Sequence, residues 1–173
     1  MSHVFEPAPT GRAKCRGCGV AIAKGDLRFG EKLPNAYGEG DMTHWFHPLC
    51  AAYKRPEPMM ASLAAAPEAL RDALERAARA SMAQPRLPRI DGAERSPGSQ
   101  ASCRQCREKI AKGGWRIKLV FHEEGVFSPS GFIHLHCRRD YFAADDILEQ
   151  MLHFSSGLGD EDRAALKAAM EGA

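Results

Sequence analysis

Along most of the chain the apolar positions fall in short runs, and only a few stretches keep a period. Residues 67–82 carry Leu70, Leu74, Ala77, Ala78 and Met82 on one helical face, with Pro67 suited to a first turn, so this pattern predicts a helix. A narrower stripe of Ala165, Leu166 and Ala169 predicts a second helix over 161–170, capped by Asp160, and residues 143–152 predict a shorter one. Leu27-Arg28-Phe29 and Trp115-Arg116-Ile117-Lys118-Leu119-Val120-Phe121, interrupted by Gly and Pro nearby, read as a few short antiparallel strands. Between the halves, Pro85, Pro88, Gly92, Pro97 and Gly98 sit in a stretch with little periodicity, which reads as a linker. The helical stripes themselves are core-packing faces.

The two halves repeat one another. Gly11-Arg12-Ala13-Lys14-Cys15-Arg16-Gly17-Cys18, followed by Ile22-Ala23-Lys24-Gly25, returns 88 positions later as Ser99-Gln100-Ala101-Ser102-Cys103-Arg104-Gln105-Cys106 and Ile110-Ala111-Lys112-Gly113. Trp45-Phe46-His47-Pro48-Leu49-Cys50 is answered by Phe132-Ile133-His134-Leu135-His136-Cys137. The expected organisation is a first module over residues 1–83, a linker over 84–98 and a second module over 99–173. Each is a small α+β module, with a short antiparallel sheet and a closing helix.

The repeat uses every cysteine. Each copy offers Cys-x2-Cys, a gap of 28 or 27 residues, then His-x2-Cys. Two cysteines two residues apart can set both sulfurs on one ion in a tight turn, and three thiolates with one imidazole make a closed tetrahedral set that favours zinc. The predicted ligands are Cys15, Cys18, His47 and Cys50 in the first module and Cys103, Cys106, His134 and Cys137 in the second. His44 and His136 are the alternatives, and the repeat alignment favours His47 and His134. Four protein ligands leave no open position on the metal, so two structural zinc ions are expected and metal catalysis is not. A redox Cys-x-x-Cys is the rival, but neither copy sits in a strand-to-helix context and each has a matched His-Cys downstream.

Composition narrows the classes. A 44% apolar chain can form modest cores, and it contains no run of about 18 apolar residues to span a bilayer. With no apolar leader at the N-terminus the expectation is an intracellular protein, where thiols stay reduced. The formal charge is only +2, so any nucleic-acid reading rests on where the charges sit. They cluster: residues 12–32 hold six basic side chains against Asp26 and Glu31, and residues 104–118 hold six against Glu108. Two basic arms at matched positions beside the metal turns are suited to phosphate attraction.

With these motifs in hand, both halves resemble the zinc finger of the poly(ADP-ribose) polymerase type. The match runs through Gly-Arg-Ala-x-Cys-x2-Cys, Ile-x-Lys-Gly-x-Leu-Arg at residues 22–28, Trp-Phe-His-x2-Cys, and the tail Phe154-Ser155-Ser156-Gly157-Leu158 before Asp160-Glu161-Asp162. The resemblance implies binding to DNA strand breaks by shape and backbone. It implies an arginine grip on phosphate at Arg12 and Arg28 in the first finger and at Arg116 in the second, where Gln100 replaces the other arginine. It also implies apolar stacking residues at Leu33 and Tyr37, and at Val126 and Phe127. Trp45 becomes Phe132, a second departure between the copies.

Three functions follow for comparison. The first is a sequence-independent sensor of nicks, gaps and ends, with a separate repair enzyme as a further partner and neither membrane nor small-molecule substrate. Its place is the nucleus in a eukaryote, or the cytoplasm and nucleoid in a bacterium. The second is a zinc-stabilised adaptor for a protein or RNA, motivated by Gln100, Phe132 and the near-neutral charge. The third, an enzyme, is disfavoured because no nucleophile and base pair stands out, and no catalytic residue is assigned.

Overall fold

A computed structural model of the chain describes residues 2–172. Met1 and Ala173, the outer edges of the expected modules, lie outside the described residues. The chain divides into two compact units, one running to Met82 together with Glu123–Phe127, the other comprising Ala83–His122 and the residues from Ser128 onward.

In the first unit, β1 (Val4–Pro7), β2 (Leu27–Pro34) and β3 (Asp41–Phe46) form one antiparallel sheet in that order. Phe29 on β2 faces Phe46 across the ladder, and both rings are fully buried with Ile22 and Met59. Gly30 pairs with Trp45, and a Cβ at Gly30 would lie 2.7 Å from the indole and 2.9 Å from Val4. Only glycine lets the indole cross the sheet at this point. The helices α1 (Pro48–Lys54), α2 (Pro56–Ala61) and α3 (Glu68–Met82) close the unit. Helix α3 begins just after Pro67 and buries Leu74, Ala77 and Ala78 as the periodicity requires, while Leu70 and Met82 at its ends remain exposed. Ser81 Oγ donates to the Tyr53 carbonyl at 2.5 Å, fastening α3 to α1.

A second sheet repeats this plan with β4 (Arg89–Arg95), β5 (Trp115–Glu123) and β6 (Val126–His134), in the order β4-β5-β6, and apart from Glu123–Phe127 it belongs to the second unit. Strand β4 lies inside the segment expected as linker, so residues 84–98 do not simply connect modules. Their proline and glycine content hides the strand because Gly92 is a bulge residue. The ladder of β4 on β5 shifts register between Ile90 and Ala93, and Gly92 has φ +100°. A Cβ there would meet the Phe154 carbonyl at 2.4 Å. The glycine marks a close approach of two backbones rather than a loop.

Helices α4 (Arg138–Phe142), α5 (Leu148–His153) and α6 (Asp160–Glu171) complete the unit. The helix expected over 143–152 is confined to α5, because Ala143 ends α4 in the left-handed region at φ 52°. The cap of α6 is Gly159 rather than Asp160; Asp160, Glu161 and Asp162 occupy its first turn, where carboxylates favour the helix N-terminus. Ile90, Ile110, Ile117, Ile133, Phe142, Met151 and Leu166 form the core. Among the described residues no helix is long and apolar enough to cross a membrane.

Candidate metal centres and the surface around them

Each metal centre is built from a turn and a helix start. In the first, the amide of Cys15 donates to the Val20 carbonyl and Gly19 donates back to Cys15, so Cys15-Arg16-Gly17-Cys18 folds into a tight knuckle with Gly19 at φ 77°. Gly17 is part of it, since a Cβ would lie 2.9 Å from the Cys50 Cβ. His47 stands at the N-cap of α1 with Pro48 in the first turn, so Cys50, three residues on, turns to the same side. The second centre repeats the bonding. Cys103 donates to Glu108, Arg107 donates to Cys103, and Arg107 takes φ 70° where the first knuckle has glycine. His134 caps the 3-10 turn Leu135–Cys137.

These frames bring both predicted ligand sets together: Cys15, Cys18, His47 and Cys50, and Cys103, Cys106, His134 and Cys137, with the ligand atoms of each set within 4.8 Å of one another. His47 Nδ1 is 3.4 Å from Cys18 Sγ and 4.0 Å from Cys50 Sγ; His134 Nδ1 is 3.3 Å from Cys106 Sγ and 3.9 Å from Cys137 Sγ. Ligands about 2.3 Å and 2.0–2.1 Å from one tetrahedral zinc stand about 3.6 Å apart, so the spacing fits the ion. The alternatives fall outside the sets. His44 is buried on β3 opposite Glu31, and His136 stacks on His134 with centroids 4.5 Å apart. His134 Nε2 lies 3.2 Å from the Lys109 carbonyl, which fixes the ring with Nδ1 turned to the metal.

The thiols are prepared for a cation. Hydrogen bonding from the Cys50 thiol, helped by backbone amides, brings Cys18 down to about 4 and Cys15 to about 6, and Cys50, as donor to both, is driven far up. In the second centre burial pushes Cys103 up, but the amides of Cys106, His134 and Gln105 outweigh it and leave it at about 7. Burial, then the charge of Cys103, raises Cys137 to about 12. The first cluster thus favours thiolate at Cys15 and Cys18 with the proton left on Cys50, and the second favours thiolate at Cys103 over Cys137. The chain holds two Cys3His clusters suited to two zinc ions.

The residues expected to contact DNA are placed unequally. Arg12 is exposed beside the first knuckle, along with Lys14, Arg16 and Lys24; Arg104, Arg107, Lys109 and Lys112 are exposed around the second. Tyr37 follows β2 in a turn held by its amide on Asn35 Oδ1 and is 94% exposed. Leu33 is half-buried on β2, Val126 is exposed, and Phe127 is half-buried with its ring edge-on to Phe46 at 6.2 Å. Arg28 and Arg116 are not surface side chains: each is only 8% exposed.

Arg28 carries Cζ 3.4 Å above the Trp45 ring and gives Nη2 to Glu6 Oε1 at 2.5 Å. Arg116 carries Cζ 3.6 Å above Phe132, with Nη2 3.5 Å from Glu94 Oε2 and Nη1 donating to Ser96 Oγ at 3.3 Å. In both, Nε is buried without a hydrogen-bond partner. Glu6 and Glu94 escaped the sequence reading, although they stand at the same 88-residue offset as the cysteines and pair in register with the arginines, Glu6 with Arg28 and Glu94 with Arg116.

Comparison with known proteins agrees with this geometry. Residues 6–76 match the family described as the poly(ADP-ribose) polymerase and DNA-ligase Zn-finger region. The chain is 28% identical over 197 residues to a poly [ADP-ribose] polymerase of Drosophila melanogaster, covering 98% of this chain and 19% of that protein. It is 27% identical over 187 residues to poly [ADP-ribose] polymerase 1 of Gallus gallus, covering 94% and 18%, and 27% identical over 138 residues to that of Oryza sativa subsp. japonica, covering 75% and 14%. The chain therefore spans about a fifth or less of the length of these curated relatives.

Proposed function

We propose that this chain binds DNA at strand breaks through phosphate contacts and base stacking, without reading sequence, because residues 6–76 match the poly(ADP-ribose) polymerase and DNA-ligase Zn-finger region and the second unit repeats the Cys3His ligand set. The observation that carries the reading is the ring of exposed cations at each knuckle: Arg12, Lys14, Arg16 and Lys24 at one, Arg104, Arg107, Lys109 and Lys112 at the other. Zinc holds each knuckle rigid, so these charges meet a backbone without a large ordering cost. Tyr37 supplies a ring free to stack on an unpaired base face, an interaction worth about 1–3 kcal/mol. Recognition rather than turnover is the role assigned, with a separate repair enzyme as a further partner. The setting is intracellular, nuclear in a eukaryote.

The test is fluorescence anisotropy of zinc-loaded protein on a nicked hairpin, a blunt hairpin and a closed dumbbell duplex at two salt concentrations. Tighter binding to the broken substrates, lost on chelation, is expected. Equal weak binding to all three would sink the reading. A second reading, a zinc-stabilised adaptor for protein or RNA, draws on Gln100, which stands where the first unit has the exposed Arg12. One stoichiometric protein partner together with no retention on DNA would favour it.

A further inference from the structure

The buried arginines carry a feature that phosphate contact alone does not require. A guanidinium kept for phosphate needs its donors open, yet Arg28 and Arg116 each meet a carboxylate on the neighbouring strand. The arrangement recurs in both units, with the same strand position, an aromatic floor of Trp45 or Phe132, the same cross-strand register and a buried, unpartnered Nε. The carboxylates are the accessible members. Side-chain exposure is 40% for Glu6 against 9% for Arg28, and 32% for Glu94 against 10% for Arg116. An approaching phosphate therefore meets a neutral pair with the anion outermost. Contact with the arginine is an exchange of one anion for another, and it yields little of the counterion release that drives indiscriminate binding to duplex.

We propose that Glu6 and Glu94 mask Arg28 and Arg116, holding their guanidiniums neutralised until a phosphate displaces the carboxylate, so that the two pairs set the chain's affinity for DNA below what its arginines could supply. This rests on the break-binding reading. Every duplex offers phosphate, whereas a break also offers exposed base faces. The same carboxylate is displaced wherever the guanidinium meets phosphate, so the masking lowers affinity for intact and broken duplex alike, and stacking at a break offsets that loss.

The experiment compares the wild-type chain with the Glu6→Gln, Glu94→Gln double variant, both zinc-loaded, on closed dumbbell and nicked hairpin across a salt series. Glutamine keeps the length and can still accept from Nη2, so the strand pairing is retained, and zinc content with far-UV circular dichroism verifies it. Each arginine released from its carboxylate adds about 0.9 to the salt slope, which at 0.15 M salt is about fivefold in affinity for the dumbbell. The nicked substrate should gain at least as much, since the same carboxylates are displaced there. The Glu6→Asp, Glu94→Asp variant keeps both charges and should stay within about twofold of wild type on the dumbbell.

An unchanged dumbbell affinity and slope in the glutamine variant would overturn the proposal. So would an aspartate variant that gains as much as the glutamine one. A wild-type chain that fails to prefer the nick would instead remove the break-binding reading, whatever the glutamine variant does to the dumbbell.

Discussion

One methyl group decides whether the Trp45 indole can lie where it does. Gly30→Ala would set a Cβ 2.7 Å from that ring and 2.9 Å from Val4 and Thr43 side-chain carbons. Overpacking of this kind typically costs about 1–3 kcal/mol, and here it also tilts the floor under Arg28. The variant should unfold at lower denaturant than wild type in its first unit and bind broken DNA more weakly; equal midpoints would show that the sheet gives way freely. In the second unit Lys118 stands at the repeat position of Gly30, and Phe132 at that of Trp45. The cysteines admit no such change. Cys50→Ser should lower bound zinc from two ions to one by native mass spectrometry and release the first unit's amides to fast exchange, because a small core of this kind draws its folding energy from the metal. Two ions retained would mean that Cys50 is not a ligand.

Strand β4 is the element that most changes how the chain divides. If residues 84–98 were only a tether, Ile90→Ala would be silent. Ile90 is fully buried in the second core, so the truncation should cost about 2–5 kcal/mol and speed hydrogen exchange at Ile117 and Ile133 while leaving first-unit amides unchanged. The comparison shows what sequence patterning can and cannot carry. Helix α3 was legible because fifteen residues keep one apolar face. The ligand sets were legible because a metal fixes spacing, and two copies of one spacing leave little room for accident. Strands β1 and β4 were not, since Pro7 and Gly92 look like breaks. Pro7 lies at the end of an edge strand and Gly92 at a bulge, both places where a sheet tolerates them. The short helices α1 and α4 carry no period of their own; each continues from a zinc histidine, and its place is set by the metal centre. Arg28 and Arg116 were legible as arginines beside the site but not as buried ones, because their burial depends on Glu6 and Glu94 arriving from strands the pattern hid.

On the break-binding reading, two Cys3His units on one chain make affinity a product of partly independent contacts, and the two are built unequally. The first presents exposed Arg12 beside its knuckle, and Arg28 has Glu6 as its ion-pair partner; the second has Gln100 in place of Arg12, and Arg116 is engaged by Ser96 as well as Glu94. Each unit exposes four cations at its knuckle, but in the second Arg104 Nη1 donates to Ser130 and Lys109 Nζ to the Gln100 carbonyl, so on the break-binding reading fewer phosphates are neutralised there and the electrostatic share of binding is smaller. If both fingers engage one broken substrate, removing either loses avidity, which can amount to 10²–10⁴ without any change in the other finger's contacts. Disabling the first zinc site with Cys50→Ser should therefore weaken binding to nicked DNA more than disabling the second with Cys137→Ser, and it should flatten the salt slope more. Equal losses would place the missing phosphate contacts of the second finger on Arg104, Arg107, Lys109 and Lys112. A silent Cys137→Ser variant would assign DNA binding to the first unit alone and leave the second free for a partner of another kind.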